Sequence, residues 1–434
     1  MNVVTGLFLV TQLFSAGFAQ KPGTNEPGTN EPGTKELGAK ELGSVLHLAD
    51  RVVPNAKLVS VQEAQWGFKI HGKEEPEQYK LAAITRWGSW RGVIGKQALW
   101  LSDGSWLVGE IQLDTKDQIQ LQSRWLQIGS IPTKSIRAML ISPMASQADW
   151  IALQQSLLNY SGESDSVWLR DRKQVVGVIQ TESLSSRSTM IEVSASNQSI
   201  KIPLDQVAVV AFSPTLHGPI SNDPPVQIGL RDGTMLSGRS IKSANNQVEV
   251  MCQSGIKVQS LDFPDDFLSS IVYLSCPIQE NVQRLDLLKP ASYKHIPDSS
   301  LEFSLGVNKD VFGQPLITGS RRKAGMVFHG LAMHSSSQVA FRWDGSTAKL
   351  IAEAQLSATS PDNTQAVCKV LLARDGQLTT ASEFTLSRRV EAEQIRLLEM
   401  DISKSQLIVL VVEKGTQSQF GDHVLWLDPR IVKQ

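Results

Sequence analysis

The sequence is poor in the residues that cross-link, charge or activate a protein. Its 434 residues include three cysteines, so no disulfide framework is possible, and at most one bridge could form with one thiol left over. Basic and acidic side chains cancel at 42 against 43, which removes the long-range field that would draw nucleic acid or an anionic membrane. Beyond an N-terminal apolar stretch, no segment approaches the roughly 20 apolar residues that cross a bilayer. Catalytic signatures are missing too: there is no G-x-S-x-G, H-E-x-x-H, Walker loop or dinucleotide fingerprint. The adjacent Asp265 and Asp266 would point apart in an extended chain, unlike the paired carboxylates of a glycosidase. His329 and His334 are five residues apart with no third zinc-type ligand nearby. The expectation is therefore no enzyme activity, no metal and no cofactor.

What is present is turn chemistry. Tyrosine occurs only four times, whereas glycine (31) and proline (19) are plentiful, which suits a β-rich protein with many turns. At roughly 100–200 residues per domain, the length predicts two to four domains. Residues 1–19, MNVVTGLFLVTQLFSAGFA, have a short apolar core and a small-residue exit before Gln20, the pattern of a secretory signal peptide, although the n-region lacks Lys or Arg. An uncleaved membrane anchor is the alternative. Residues 20–44 then run through a five-residue Pro/Gly repeat, KPGTN-EPGTN-EPGTK-ELGAK-ELGS, which has no apolar periodicity and reads as a flexible spacer.

Three later stretches share one pattern: Ala98–Ile111, Ser166–Ile179 and Val226–Ile241. Each is an apolar-alternating strand, a tight turn and a second strand carrying a glycine, followed by further short strands. Asp103-Gly104 and Asp232-Gly233 are strong hairpin signals, because glycine supplies positive φ; the middle copy has Asp171-Arg172 instead, which requires a different turn. Gly109, Gly177 and Gly238 mark bends in the second strand. The expectation is three small, curved, SH3- or Sm-like units spanning 45–145, 146–221 and 222–285, with the strand-like runs 58–70 and 79–87 joining the first. Ser146 to Asp149 resembles a capping box, and Trp150, Leu153, Leu157 and Leu158 share a helical stripe, predicting one helix over an open barrel end. Eight of the ten tryptophans fall between Trp66 and Trp168; as core filling for small barrels they need no ligand. Cys252 and Cys276 would pair if their strands are neighbours, and Cys368 reads as a buried small hydrophobe.

From about Tyr293 the alternating runs lengthen, and seven or eight strands at 8–15-residue spacing argue for a two-sheet β-sandwich over 286–434. The run Gly330-Leu331-Ala332-Met333-His334-Ser335-Ser336-Ser337 and the closing Gly421-Asp422-His423-Val424-Leu425-Trp426-Leu427-Asp428-Pro429-Arg430 resemble the G-L-x-x-H-S-x-S and D-H-x-x-W-x-D-x-R signatures of NPCBM domains, carbohydrate-binding modules attached to glycoside hydrolase family 98 enzymes. The resemblance covers roughly Leu301–Val432. Phe328-His329 and Lys414-Gly415-Thr416 depart from the family pattern. The domain order resembles exported multidomain proteins of planctomycete-type bacteria.

The resemblance implies a jelly-roll fold and glycan binding without catalysis. Sugar recognition combines an aromatic face with a few placed polar groups, for which His334, Ser335, Asp422, His423 and Trp426 are the candidates. Each also has a structural reading: Trp426 alternates with Leu425 and Leu427 as a core residue would. The sequence thus describes an all-β chain of curved repeats and a C-terminal jelly roll: a secreted, periplasmic or cell-envelope glycan binder with no nucleic-acid partner. The alternative is an envelope scaffold acting through protein contacts.

Overall fold

The computed structural model describes residues 44–62, 65–115, 117–180, 189–195, 198–216, 226–244, 247–261, 264–276, 280–296, 301–319, 324–390, 394–415 and 422–434. The predicted signal segment and all of the predicted spacer but Ser44 lie outside them. The described chain is almost entirely β-structure, with two α-helices, Gln147–Leu158 and Pro264–Ser270, and it belongs to one compact unit.

The N-terminal half contains four equivalent β-units rather than three. Their first strands are Ser44–Leu48, Ala98–Leu101, Asp165–Leu169 and Val226–Leu230. Each ends in a leucine whose amide donates across the following turn: Leu48 to Arg51, Leu101 to Ser105, Leu169 to Lys173 and Leu230 to Thr234. Each first strand pairs with its unit's last strand, Ile84–Gly88, Ile136–Leu140, Val207–Ala211 or Ile271–Ser275, and every last strand follows a short helical segment. The runs 58–70 and 79–87 therefore belong to a unit of their own. It escapes a sequence search because its turn, Ala49-Asp50-Arg51, is short and lacks glycine.

The turn residues behave as their chemistry requires. Gly104 and Gly233 have φ of 89° and 99°, and in the middle copy, whose turn lacks glycine, Arg172 takes the same left-handed region at 70°. At Gly177 the strand Gln174–Ile179 passes from pairing with Asp165–Leu169 to pairing with Met190–Ala195. A Cβ there would run into the carbonyl of Ser194, so the bend requires glycine.

The units associate through self-equivalent positions. Trp87 of the first faces Leu274 of the fourth, Met139 of the second faces Val210 of the third, and Trp106 of the second faces Met235 of the fourth. Their order in space is thus first, fourth, second, third. The predicted helix forms, with the Ser146 hydroxyl accepting from the Asp149 amide. It caps a seam rather than a barrel end: Trp150 is buried edge-on against Trp90 and Trp106, at 5.0 and 5.7 Å, while Leu158 is exposed. The tryptophans Trp66, Trp90, Trp100, Trp106 and Trp150 are all buried. All three cysteines are free and buried, so Cys252 and Cys276 do not pair. Asp265 and Asp266 fall in the helix Pro264–Ser270, not in extended chain; their side chains lie outside the description.

The C-terminal half is a β-sandwich. One sheet contains Gly306–Val307, Gly330–His334, His423–Lys433, Ala348–Leu356 and Ile395–Asp401, in that order, with Val282–Arg284 also paired to His423–Lys433. The other runs Ser292–His295, Ser337–Arg342, Leu407–Lys414, Gln365–Arg374, Gln377–Ser387. Leu331, Met333, Val424 and Trp426 from the first sheet meet Val339, Phe341, Val370 and Leu410 from the second in one core. The strand Gln377–Ser387 is largely exposed, so its alternation was too polar to read.

Candidate functional site

The strand His423–Lys433 carries polar residues at both ends, and each end meets a different environment. Alternation sends successive side chains to opposite faces. Val424 and Trp426 enter the sandwich core, whereas Leu425 and Leu427 pack on the other face with Leu316, Val327 and Ala332. His423 shares that outer face, and register places it opposite His334.

Around this histidine pair the chain assembles a cluster of rings. The His334 and His423 centroids are 5.0 Å apart. Phe303 stacks on His334 at 4.1 Å and 10°, and Phe312 meets His423 edge-on at 4.9 Å. His295 reaches in from the other sheet, 5.5 Å from both Phe303 and His334. Its Nδ1 accepts the Phe303 amide proton at 3.1 Å, fixing the segment that carries the stacked phenylalanine. Phe312 is 60% exposed, so the cluster opens to solvent through an aromatic face.

His334 and His423 are uncharged at neutral pH. Burial, followed by the nearby His334, lowers His423 to about 4; burial also lowers His334. His334 Nδ1 lies 3.1 Å from the Ser335 carbonyl, so that nitrogen carries the proton and Nε2 is left as an acceptor. Apolar ring faces beside neutral donors and acceptors suit a ligand with hydroxyls and C–H surface.

The five candidate residues do not all meet. His334 and His423 lie in the ring cluster, and Ser335 is buried beside them, its amide donating to the Asp422 carbonyl at 3.1 Å. The Asp422 side chain is buried with neither carboxylate oxygen hydrogen-bonded, and burial raises its pKa to about 7. Trp426 is fully buried, 6.1 Å from the Phe384 ring, so its indole fills the sandwich. Phe303, Phe312 and His295 are site residues that the sequence did not single out. The two phenylalanines sit in the irregular stretch 301–312, where no periodicity marks a functional ring.

At the far end of the same strand, a register shift opposite Ile351–Glu353 and a φ of 46° at Asp428 interrupt the alternation. Asp428 and Arg430 both turn toward the first β-unit. Arg430 donates to the carbonyls of Leu48, Ala49 and Arg51 and to the Asp428 carboxylate. Thr85 donates to Asp428 at 2.8 Å, and Arg86 to Glu353 at 2.6 Å. His47 Nε2 lies 2.7 Å from the same Glu353 oxygen. All are buried. Burial alone would raise Glu353 and Asp428, yet Arg86 and His47 hold the first near 2, and Arg430 with His47 the second. Burial and Arg86 push His47 down to about 4. The aspartate and arginine of the closing signature therefore join the sandwich to the β-units.

Residues 304–432 match the NPCBM/NEW2 domain. That segment contains Phe312, His334, Asp422, His423 and the joining pair Asp428 and Arg430, while His295 and Phe303 precede it. No curated protein matches the chain. Among solved structures, CBM51 from Clostridium perfringens GH95, in complex with methyl-galactose, is similar at 13% identity with a TM-score of 0.29, covering 35% of this chain and 99% of its own. The tandem CBM51 modules of the family 98 glycoside hydrolase from Streptococcus pneumoniae are similar at 11% identity and a TM-score of 0.29, covering 72% of this chain and 97% of their own. Among the described residues no group of three or more His, Cys, Asp or Glu is placed to hold a metal ion. No described helix is long and apolar enough to cross a membrane.

Proposed function

We propose that this is an exported, non-catalytic carbohydrate-binding protein that holds a glycan at the ring cluster of its NPCBM/NEW2 segment, with the β-units serving as a rigid spacer. The observation that carries the reading is the solvent-open face of Phe312 against the neutral His423–His334 pair, inside the segment that matches a carbohydrate-binding family. Its buried carboxylates support the absence of catalysis: Glu353 and Asp428 are locked into ion pairs, and among the described residues Asp422 has no acidic partner to share acid–base work. The test is a glycan array probed with the full chain. Binding of a defined set of glycans, unchanged on prolonged incubation, is expected; binding of none contradicts the reading. Release of sugar would contradict its non-catalytic part.

A further inference from the structure

The β-units offer a separate inference, because their contacts follow a rule that one unit leaves unfulfilled. The second and fourth units pair through equivalent edges. Trp106 faces Met235; the Val108 amide donates to the Thr234 hydroxyl at 3.3 Å, and the equivalent Ser237 amide donates to the Ser105 hydroxyl at 2.9 Å. Alongside, Leu126–Ile128 pairs with Lys257–Ser260, with Gln127 facing Gln259. The arrangement is a pseudo-twofold, isologous contact of the kind that joins identical subunits.

The first and third units present the same edge without a partner among the described residues. In the first unit it is closed: Pro54 stands where Val108 and Ser237 donate their amides, since Val53 pairs with Leu46 as Leu107 pairs with Leu99. Proline removes the donor and blocks strand addition. In the third unit the equivalent residue is Val176, which keeps its amide. Val108 and Ser237 are 1% and 3% exposed, but Val176 is 48% exposed. Ile200 pairs with Val193 as Val258 pairs with Val250; Val258 is buried under the second unit's strand, whereas Ile200 is exposed, as is Val178.

We infer that this edge of the third unit, Gln174–Ile179 with Gln198–Pro203, docks the same edge of a second copy of the chain, repeating between molecules the contact that joins the second and fourth units within one. Continuity with that contact identifies the occupant: the edge is self-complementary in the pair where it is filled. Lys173 takes the place of the Ser105 and Thr234 hydroxyls and is held by Asp171 at 2.7 Å, so the intermolecular version relies on the aliphatic side chains and main-chain amides. Two ring clusters would then sit on one particle, giving bivalent attachment to a repeating ligand.

Sedimentation of the full chain tests this. A mass of twice the monomer is expected, falling twofold in Val176→Pro, which copies Pro54 and leaves the unit's own pairing intact. Val178→Glu, on an exposed side chain, provides a second disruption should the proline impair folding. A monomeric wild-type chain at about 100 µM overturns the inference, and so does a dimer that survives both substitutions.

Discussion

The two ends of the strand His423–Lys433 show how differently a β-sandwich uses polar residues. Around Arg430, each charge lies against an opposite charge or carbonyl and is sealed from water. Around His423, Phe312 stays exposed, His334 and His423 are neutral, and His423 Nδ1 has no hydrogen-bond partner among the described residues. A sealed, ion-paired network is architecture: removing one member strands the others in low dielectric. An open, unsatisfied cluster contributes little to stability and keeps its hydrogen-bonding capacity for something else. The same signature residues, Asp-His at one end and Asp-x-Arg at the other, thus divide between an open ring cluster and a sealed joint.

The sharpest way to break the contrast is to remove the β-units. A fragment of residues 286–434 loses Val282–Arg284 from its sheet edge and leaves Glu353, Asp428 and Arg430 without Arg86, His47 and the first unit's carbonyls. It is expected to lack cooperative unfolding by circular dichroism; a fragment melting like the whole chain would show that the joint is dispensable. Next, Glu353→Ala in the full chain strands Arg86 and should cost about 3–5 kcal/mol in denaturant unfolding, whereas Phe312→Ala should stay within about 0.5 kcal/mol. Comparable losses from both would erase the distinction.

Acid should act on the joint and on the ring cluster alike. Glu353 and Asp428 are held near 2 in the fold, so their stabilisation is complete above the ordinary carboxylate pKa of about 4 and is lost as pH falls toward 2. His47 in the joint and His423 in the ring cluster, both lowered to about 4, add a loss that begins below about 6.5, where the unfolded chain takes up protons that the fold refuses. Denaturant midpoints should therefore fall steadily from pH 6.5 downward, and the slope should flatten in Glu353→Gln. The smallest effect belongs to Asp422. Its pKa is raised to about 7, so the folded protein binds that proton more tightly, and this stabilisation, complete below about pH 4, is lost as pH rises from there through 7. Asp422→Asn should remove that loss between about pH 4 and 7; an unchanged profile would place the carboxyl in contact with solvent.

The large-scale plan was legible because it rests on local chemistry. Asp-Gly turns, bend glycines and the Ser146 cap each act within a few residues, and alternation betrays strands buried on one face. The first β-unit was not recognised because Pro54 and its shortened turn erase those markers while long-range pairing keeps the topology. The site was half legible for a related reason. His334 and His423 stand in ordered strands with a recognisable motif, but Phe303, Phe312 and His295 converge from an irregular segment and the opposite sheet, which only the tertiary fold reveals. Trp426 was indistinguishable from a binding aromatic by type alone; its parity with Val424 places it in the core.

The most direct test of the account is a calorimetric titration of the full chain and its Phe312→Ala variant with the best-bound glycan from the array. Loss of about tenfold in affinity, equivalent to about 1.4 kcal/mol, with an unchanged unfolding midpoint is the expected result. Undiminished affinity in the variant would place the glycan elsewhere and contradict the assignment of the ring cluster.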